Sequence, residues 1–265
     1  MTLLTRTLAG LALAAAIALA ARRARALTPS GAWSALLVGT VATAAGWGWC
    51  AVLLTFFVPS TLLSRWRRAA KERVTGGIVD KGGERDAWQV IANGGVFALC
   101  AVGAIVSPAP QWTLAGLGAL AGATADTWAT EIGTAIGGVP RTLRGWRPVP
   151  PGTSGAVTTT GTLAMIAGAL VLGTVAHLGG FDLQVVVSTT LGGIGGALAD
   201  TVLGATVQER RWCSHCREAT ERRVHDCGRE TQRRSGVAGV DNDVVNLTSS
   251  LAGGVVALLA GGVWG

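Results

Sequence analysis

Residues 114–128 read LAGLGALAGATADTW, and residues 188–202 read STTLGGIGGALADTV. In each stretch two glycines and an aspartate fall four residues apart, and each aspartate, Asp126 and Asp200, lies between Ala and Thr. Small residues at this spacing are typical of membrane helices that pack closely. A carboxylate at membrane depth costs about 2.5–3.5 kcal/mol on insertion scales. Two such carboxylates in matching surroundings therefore predict a functional site.

The composition of the whole chain indicates an integral membrane protein. The 265 residues are 49% hydrophobic and only 14% charged, whereas an average soluble domain has roughly 25% charged residues. The apolar residues form long runs of about 20, the length of a transmembrane helix, and they lack the alternation of a barrel strand. The sequence predicts an all-α, polytopic fold in one integral membrane domain, residues 1–265, in contact with the lipid bilayer. The expected helices are 3–21, 31–63, 89–106, 111–137, 156–177, 185–208 and 244–264.

The basic residues predict the topology of these helices. All but four of the 22 Lys and Arg residues lie in 59–87, 138–155 and 209–243, and the links 107–110 and 178–184 have none. The positive-inside rule makes the loops at about 64–88, 138–155 and 209–243 cytoplasmic, in the plasma membrane. Topology thus explains the net charge of +7 without a nucleic-acid partner.

The number of crossings is expected to be seven or eight. It is eight if the stretch 31–63 is a hairpin of two helices broken at Gly46-Trp47-Gly48, and the basic residues 22–25 favour this arrangement because they would then be cytoplasmic as well. The segments 111–137 and 185–208 run in the same direction. They are expected to form a parallel repeat around the two aspartates, with chance similarity between Gly/Ala-rich helices as the alternative.

Close packing of the two glycine stripes would bring Asp126 and Asp200 together. Two carboxylates in a dry site repel each other unless a cation compensates their charge, and Mg²⁺ suits such oxygen ligands. Glu131 is a further candidate, but five residues correspond to about 140° around a helix. Either the helix is broken between Asp126 and Glu131, or Glu131 contacts a different neighbour.

Amide and carboxyl side chains recur where helices are expected to begin on the cytoplasmic side. Asp86 and Asn93 belong to a polar stripe at the start of the helix 89–106, although Asp86 is also well suited to an N-cap. Asn242 and Asn246, four residues apart, form a similar stripe at the last helix. These side chains are candidate members of one polar site.

A third element precedes the helix expected at residue 156. The turn contains Gly152, Thr153, Ser154 and Gly155. Backbone N–H groups at a helix N-terminus favour anions, whereas Thr153 or Ser154 is alternatively a simple N-cap. Three basic residues lie just upstream and favour the interpretation as a phosphate site: Arg141, Arg144 and Arg147.

Four potential metal ligands cluster in the last basic loop. Cys213-x-x-Cys216 has the spacing of a zinc-binding pair, and His225-x-Cys227 supplies two further ligands at a tighter spacing. A structural Zn²⁺ site is therefore a candidate. The alternative is that these cysteines are reduced and bind no metal.

Several phrases occur in an order that resembles a known family. They are ADTWATEIG at 125–133, GGERD at 82–86 with QVIANG at 89–94, PGTSGAV at 151–157, ADT at 199–201 and NDVVN at 242–246. They are similar to the motifs of the integral membrane family called domain of unknown function 92, over nearly the whole chain. The activity of a plant member of that family implies a kinase that uses a nucleoside triphosphate, with CTP favoured, to phosphorylate an isoprenoid monophosphate.

With this reaction as the leading hypothesis, each candidate residue has a role. Asp126, Asp200 and Glu131 would hold Mg²⁺, and the arginines and the turn at 152–155 would contact the phosphates of CTP. The remaining candidates, Asp86, Asn93, Asn242 and Asn246, would complete the site. The implied reaction converts a prenyl (phytyl-like) monophosphate to the diphosphate at the cytoplasmic membrane face. The alternative is a small ion-coupled transporter that uses its intramembrane carboxylates, and a non-catalytic membrane scaffold is a third interpretation.

Overall fold

Long helices account for most of the residues that the computed structural model describes, which are 1–76, 78 and 83–262. The helices are α1 (Leu3–Arg23), α2 (Pro29–Ala45), α3 (Trp47–Arg65), α4 (Arg68–Thr75), α5 (Ala87–Val106), α6 (Pro110–Ile136), α7 (Thr159–Leu178), α8 (Leu183–Thr206) and α9 (Asn242–Gly262). Short strands occupy two of the connecting loops. They are β1 (Arg141–Thr142), β2 (Ala156–Val157), β3 (Arg210–Cys213), β4 (Glu218–Thr220) and β5 (Gln232–Ser235).

The prediction of a polytopic helical membrane protein is confirmed. Six helices in the described part of the chain are long and apolar enough to cross a membrane, namely α1, α3, α5, α7, α8 and α9. The helix α2 has only 17 residues, and α6 has 27 residues but carries Asp126 and Glu131 among glycines and threonines. The predicted stretch 31–63 is two helices, because Gly46 separates α2 from α3.

Contacts between loops show that the basic segments share one end of the bundle. Arg22 at the end of α1 forms an ion pair with Glu84 at 3.0 Å. The Arg85 N–H donates to the Ala26 carbonyl at 2.9 Å, and the Thr28 N–H donates to the Arg85 carbonyl at 3.0 Å. The end of α1, the start of α2 and the start of α5 are therefore together, as the hairpin prediction requires. We call this end of the bundle the basic face.

The helix α6 lies at the centre of the bundle. Its residues 116–125 are all buried, and it packs against α5, α7, α8 and α9. Aromatic and aliphatic side chains fill the space between the N-terminal half of α6 and the helices α3, α5 and α7. Trp49 and Phe97, for example, have ring centroids 5.1 Å apart, and Leu117, Leu120 and Leu172 are fully buried beside them.

Two small antiparallel sheets add structure that the sequence patterns did not predict. The strands β1 and β2 pair with Arg141 opposite Val157, and they join the ends of the loop between α6 and α7. The loop between α8 and α9 folds into a three-stranded sheet of order β4-β3-β5. Both sheets lie in loops at the basic face.

Candidate functional site

The glycine stripes of α6 and α8 meet in register. A Cβ placed on Gly192 would lie 3.0 Å from the Gly118 Cα, and a Cβ placed on Gly196 would lie 2.9 Å from the Gly122 Cα. The third helix, α9, completes this junction, since a Cβ on Gly253 would lie 2.6 Å from the Gly118 carbonyl oxygen. Only glycine permits backbones to approach this closely.

The same register brings the two aspartates together one turn further along. The carboxyl groups of Asp126 and Asp200 lie within hydrogen-bonding reach of each other. Ser249 of α9 has its hydroxyl 3.3 Å from Asp200 Oδ2 and 2.9 Å from the Asn246 carbonyl. In the described part of the chain, no Lys or Arg pairs with either carboxylate.

A large cavity of about 1240 Å³ opens around this aspartate pair. Most of the predicted site residues line it, although they come from four different helices and one loop. They are Asp126, Asp200, Glu131, Asn93, Asn242, Asn246, Gly152, Thr153, Ser154 and Gly155. The structure therefore collects in one place the polar groups that the sequence scattered over more than 150 positions.

Glu131 lines the cavity but has its own partners. The helix α6 continues unbroken to Ile136, so Glu131 faces away from Asp126 around the helix, as its spacing predicts. Its carboxylate forms an ion pair with Lys71 and accepts a hydrogen bond from the Ser64 hydroxyl at 2.7 Å. The Arg85 guanidinium is 3.3 Å from the same hydroxyl. Burial lowers the pKa of Arg85, and the negative charge of Glu131 opposes that effect.

Some of the candidate residues at the starts of the other helices cap those helices, and the others line the cavity. Asp86 forms a capping box with Gln89, accepting the Gln89 N–H at 2.9 Å, and it is not among the described residues that line the cavity. Asn93 donates to the Gln89 carbonyl at 2.9 Å and faces the cavity. Asp241 caps α9 by accepting hydrogen bonds from two backbone N–H groups. The next residue, Asn242, lines the cavity.

The Gly-rich turn differs from its prediction in one respect. The helix α7 begins at Thr159, and Thr158 is its N-cap, with the hydroxyl accepting the Gly161 N–H at 3.0 Å. The turn is therefore separated from the helix by β2, and neither of its hydroxyl residues is the cap. Gly155, with φ of 71°, packs so tightly against α8 that a Cβ would lie 2.3 Å from the Ala205 nitrogen. This contact fixes the turn at the mouth of the cavity.

The three predicted arginines are placed elsewhere. Arg141, Arg144 and Arg147 are not among the described residues that line the cavity; the last two are exposed, and Arg141 donates to the Trp146 carbonyl at 2.9 Å. Other cations line it instead, from the end of α3, the short helix α4 and three loops, and their side-chain contacts leave no periodic signal in the sequence. They are Arg25, Arg65, Arg68, Lys71, Arg85 and Arg222.

The cavity also has an apolar arm, which is lined by the helices α1, α2 and α3. We use this name for the part lined by Leu13, Ile17, Val38, Leu53, Phe56 and Phe57. These residues lie on apolar helices, whereas the polar lining lies toward the basic face. The cavity thus joins a hydrocarbon-like compartment to a charged one.

The four predicted zinc ligands form a separate cluster in the β3–β5 loop. One ligand atom from each of Cys213, Cys216, His225 and Cys227 lies within 4.8 Å of the others. The Sγ atoms of Cys213 and Cys227 are 3.7 Å apart, and the Cys216 N–H donates to Cys213 Sγ at 3.5 Å. None of the four lines the large cavity.

Comparison with known proteins agrees with the motifs. Protein PGR of Arabidopsis thaliana is 30% identical over 261 residues, covering 89% of each chain. An uncharacterized membrane protein of Methanocaldococcus jannaschii is 29% identical over 98% of this chain and 96% of its own. One from Synechocystis is 34% identical over 69% of this chain and 73% of its own. No solved structure matches. Residues 12–254 match the family described as integral membrane protein DUF92, and the chain therefore belongs to that family.

Proposed function

We propose that this protein is a CTP-dependent kinase that converts a prenyl, phytyl-like monophosphate to the diphosphate. In this proposal the basic face lies in the cytoplasm of a plasma membrane, following the positive-inside rule. The observation that carries the proposal is the continuity of the cavity, which runs from the apolar arm to Asp126, Asp200 and the turn at 152–155. A phosphorylated lipid has the same division into an apolar and a charged part.

The size of the cavity supports two substrates at once. A pocket for one small ligand measures roughly 300–1,000 Å³, and this cavity measures about 1240 Å³. The prenyl chain would occupy the apolar arm, and the two phosphate-bearing ends would meet near the aspartates. CTP would enter from the basic face, and Arg68, Arg85 and Arg222 line the cavity.

The residues around the aspartates fit a hard divalent cation. Asp126 and Asp200 place two carboxylates side by side without a Lys or Arg partner among the described residues, and Asn242 and Asn246, which have amide oxygens, line the same cavity. Oxygen ligands of this kind suit Mg²⁺. When bound, the ion would neutralise charge on the transferring phosphoryl group.

The reaction requires little covalent chemistry from the protein. An oxygen of the prenyl phosphate attacks the γ-phosphorus of CTP, the bond from that phosphorus to the β–γ bridging oxygen breaks, and CDP leaves. The chain's own contribution is to hold the two phosphates in line and to supply positive charge. In this proposal the turn at 152–155 and the cationic lining of the cavity would perform this task.

The direct test is an assay with purified protein, CTP, Mg²⁺ and phytyl or geranylgeranyl phosphate. The wild-type protein should form the prenyl diphosphate, and Asp126→Asn should abolish the reaction while the protein remains folded. Asp182→Asn is the matched control, since Asp182 is exposed at the start of α8, outside the cavity lining. If the wild-type protein shows no turnover of any prenyl phosphate with any nucleotide, the proposed kinase activity is refuted. Cation uptake into sealed vesicles that requires Asp126, without diphosphate formation, would establish a carrier instead.

A further inference from the structure

We propose that Cys213, Cys216, His225 and Cys227 bind one structural Zn²⁺ ion, which holds the β3–β5 sheet in place as a wall of the cavity. The ligand set, three sulfurs and one imidazole, is one of the standard structural zinc sets. The proposal is independent of the reaction that takes place in the cavity.

The spacing of the sulfurs is that of metal ligands. Two thiolates bound to one tetrahedral Zn²⁺ at about 2.3 Å are separated by roughly 3.8 Å, and Cys213 Sγ and Cys227 Sγ are 3.7 Å apart. A disulfide would require about 2.05 Å. Each pair of ligands is also followed by a residue with positive φ, Arg217 at 58° and Gly228 at 76°. These tight turns point both ligand pairs toward one centre.

His225 lacks the partners that a buried imidazole needs. The side chain is 6% exposed, and neither ring nitrogen has a hydrogen-bond partner. The nearest carboxylate oxygen, Glu218 Oε2, lies 3.6 Å from Nε2. Zinc-bound histidines commonly direct their second nitrogen to a carboxylate. Coordination through Nδ1 would therefore satisfy one nitrogen and orient the other toward Glu218.

The sheet has almost no apolar core to stabilise it. Within residues 207–241, all of which the structure describes, Cys213 is the only buried side chain of apolar type. Units below about 40 residues usually need a disulfide, a metal or a partner in order to fold. The remaining buried residues of this segment are polar, namely Gln208, Thr220, His225 and Thr231. A metal at the cysteines would supply the missing core.

The sheet reaches the cavity through Glu221, which directly follows β4. Its carboxylate accepts hydrogen bonds from the Ser154 hydroxyl and from Gln208 Nε2 at 3.0 Å. On β3, the Arg210 guanidinium donates to the carbonyls of Ser154 at 2.9 Å and Gly204 at 3.0 Å. The sheet that carries the cysteine cluster is thus hydrogen-bonded to the Gly-rich turn. Loss of the metal would therefore loosen both the sheet and the Gly-rich turn that is hydrogen-bonded to it.

The first test measures metal content. The full-length protein, purified in detergent without added metal or chelator, should contain one zinc ion per chain by mass spectrometry, and Cys216→Ser and Cys227→Ser should each reduce this to background. Cys100→Ser is the matched control, because Cys100 is a buried cysteine of α5, far along the chain from the cluster. Wild-type protein with no more zinc than Cys216→Ser would overturn the proposal, as would iron in place of zinc or a disulfide detected by thiol titration.

The second test examines the link to the cavity. Hydrogen exchange is compared before and after zinc is removed with a strong chelator. Exchange should increase in residues 207–241 and also in the turn at 152–155, while the core of α6 stays protected. An increase confined to 207–241 would refute the role as a cavity wall. This measurement needs no substrate, so its outcome is separate from that of the kinase assay.

Discussion

Substitution of Gly196 by alanine tests whether the glycine junction sets the position of the aspartates. A Cβ at this residue would lie 2.9 Å from the Gly122 Cα, 2.9 Å from the Ser249 carbonyl oxygen and 3.2 Å from the Gly253 Cα. Carbon atoms in favourable contact are about 3.5–4.0 Å apart. The atoms in the way belong to the backbone of α6 and α9, so no side chain can rotate to relieve the overlap. The helices must separate by roughly 0.6–1 Å instead.

This separation has two measurable consequences. Overpacking of a dense core costs about 1–3 kcal/mol, so Gly196→Ala should unfold at a lower temperature in detergent. Asp200 lies one turn from Gly196 on α8, and it should move away from Asp126 by a similar distance. A misplacement of about 1 Å at a positioning group can reduce a rate on the order of 100-fold. We therefore expect the rate of diphosphate formation to fall by about that factor.

The assay uses protein reconstituted in liposomes with labelled CTP and phytyl phosphate, together with a thermal melt in detergent. Gly262→Ala is the control, because Gly262 is also helical but a Cβ there would meet nothing within 4 Å. The control should retain wild-type rate and melting temperature. If Gly196→Ala is as active and as stable as Gly262→Ala, the junction does not determine the aspartate geometry and the reasoning fails.

Three further predictions test which groups inside and outside the cavity matter for stability and for substrate binding. Lys71→Met should destabilise the protein by about 3 kcal/mol in thermal unfolding, because it leaves Glu131 buried without its partner. The double variant Lys71→Met/Glu131→Met should recover most of that loss. Equal destabilisation in the single and the double variant would contradict this prediction. Arg144→Ala/Arg147→Ala should change the KM for CTP by no more than about twofold, as expected of exposed residues outside the site, whereas a tenfold increase would place the nucleotide over this loop. Leu53→Trp should narrow the apolar arm, so that the KM for geranylgeranyl phosphate rises more than that for geranyl phosphate; equal changes would put the prenyl chain elsewhere.

The membrane helices and the aspartate pair were accessible from the sequence because their signals are local and periodic. Apolar runs define helices by length, and the four-residue glycine spacing identifies the face that packs. The offset between Gly118 and Gly192 equals that between Asp126 and Asp200. A parallel packing in register therefore had to bring the carboxylates together. The basic residues at the end of α1 favoured a hairpin with its break at Gly46-Trp47-Gly48, and the structure separates α2 from α3 at Gly46.

The contacts of the loops could not be predicted in the same way. Lys71 and Glu131 are 60 positions apart, and their pairing depends on how the short helix α4 lies against α6. The arginines between α6 and α7 are close in sequence to the Gly-rich turn, and β1 pairs with β2, yet none of the three arginines lines the cavity. Proximity in sequence could not show which arginines line the cavity, because a two-residue strand pair is too short to leave a pattern.

The carboxylates that line the cavity differ in whether a nearby cation compensates their charge, and this difference bears on what the cavity binds. Glu131 is balanced internally by Lys71 and has Arg85 nearby, so its charge needs no ligand. The pair formed by Asp126 and Asp200 has no such cation among the described residues, and its neighbours are hydroxyl and amide groups that cannot neutralise it. Two adjacent carboxylates in a poorly solvated site must share a proton or bind a cation. A shared proton would make the site respond to pH, whereas a divalent ion would make it respond to chelators. Activity at neutral pH that is lost with EDTA and restored by Mg²⁺, but not by acidification, is the outcome that this charge distribution favours.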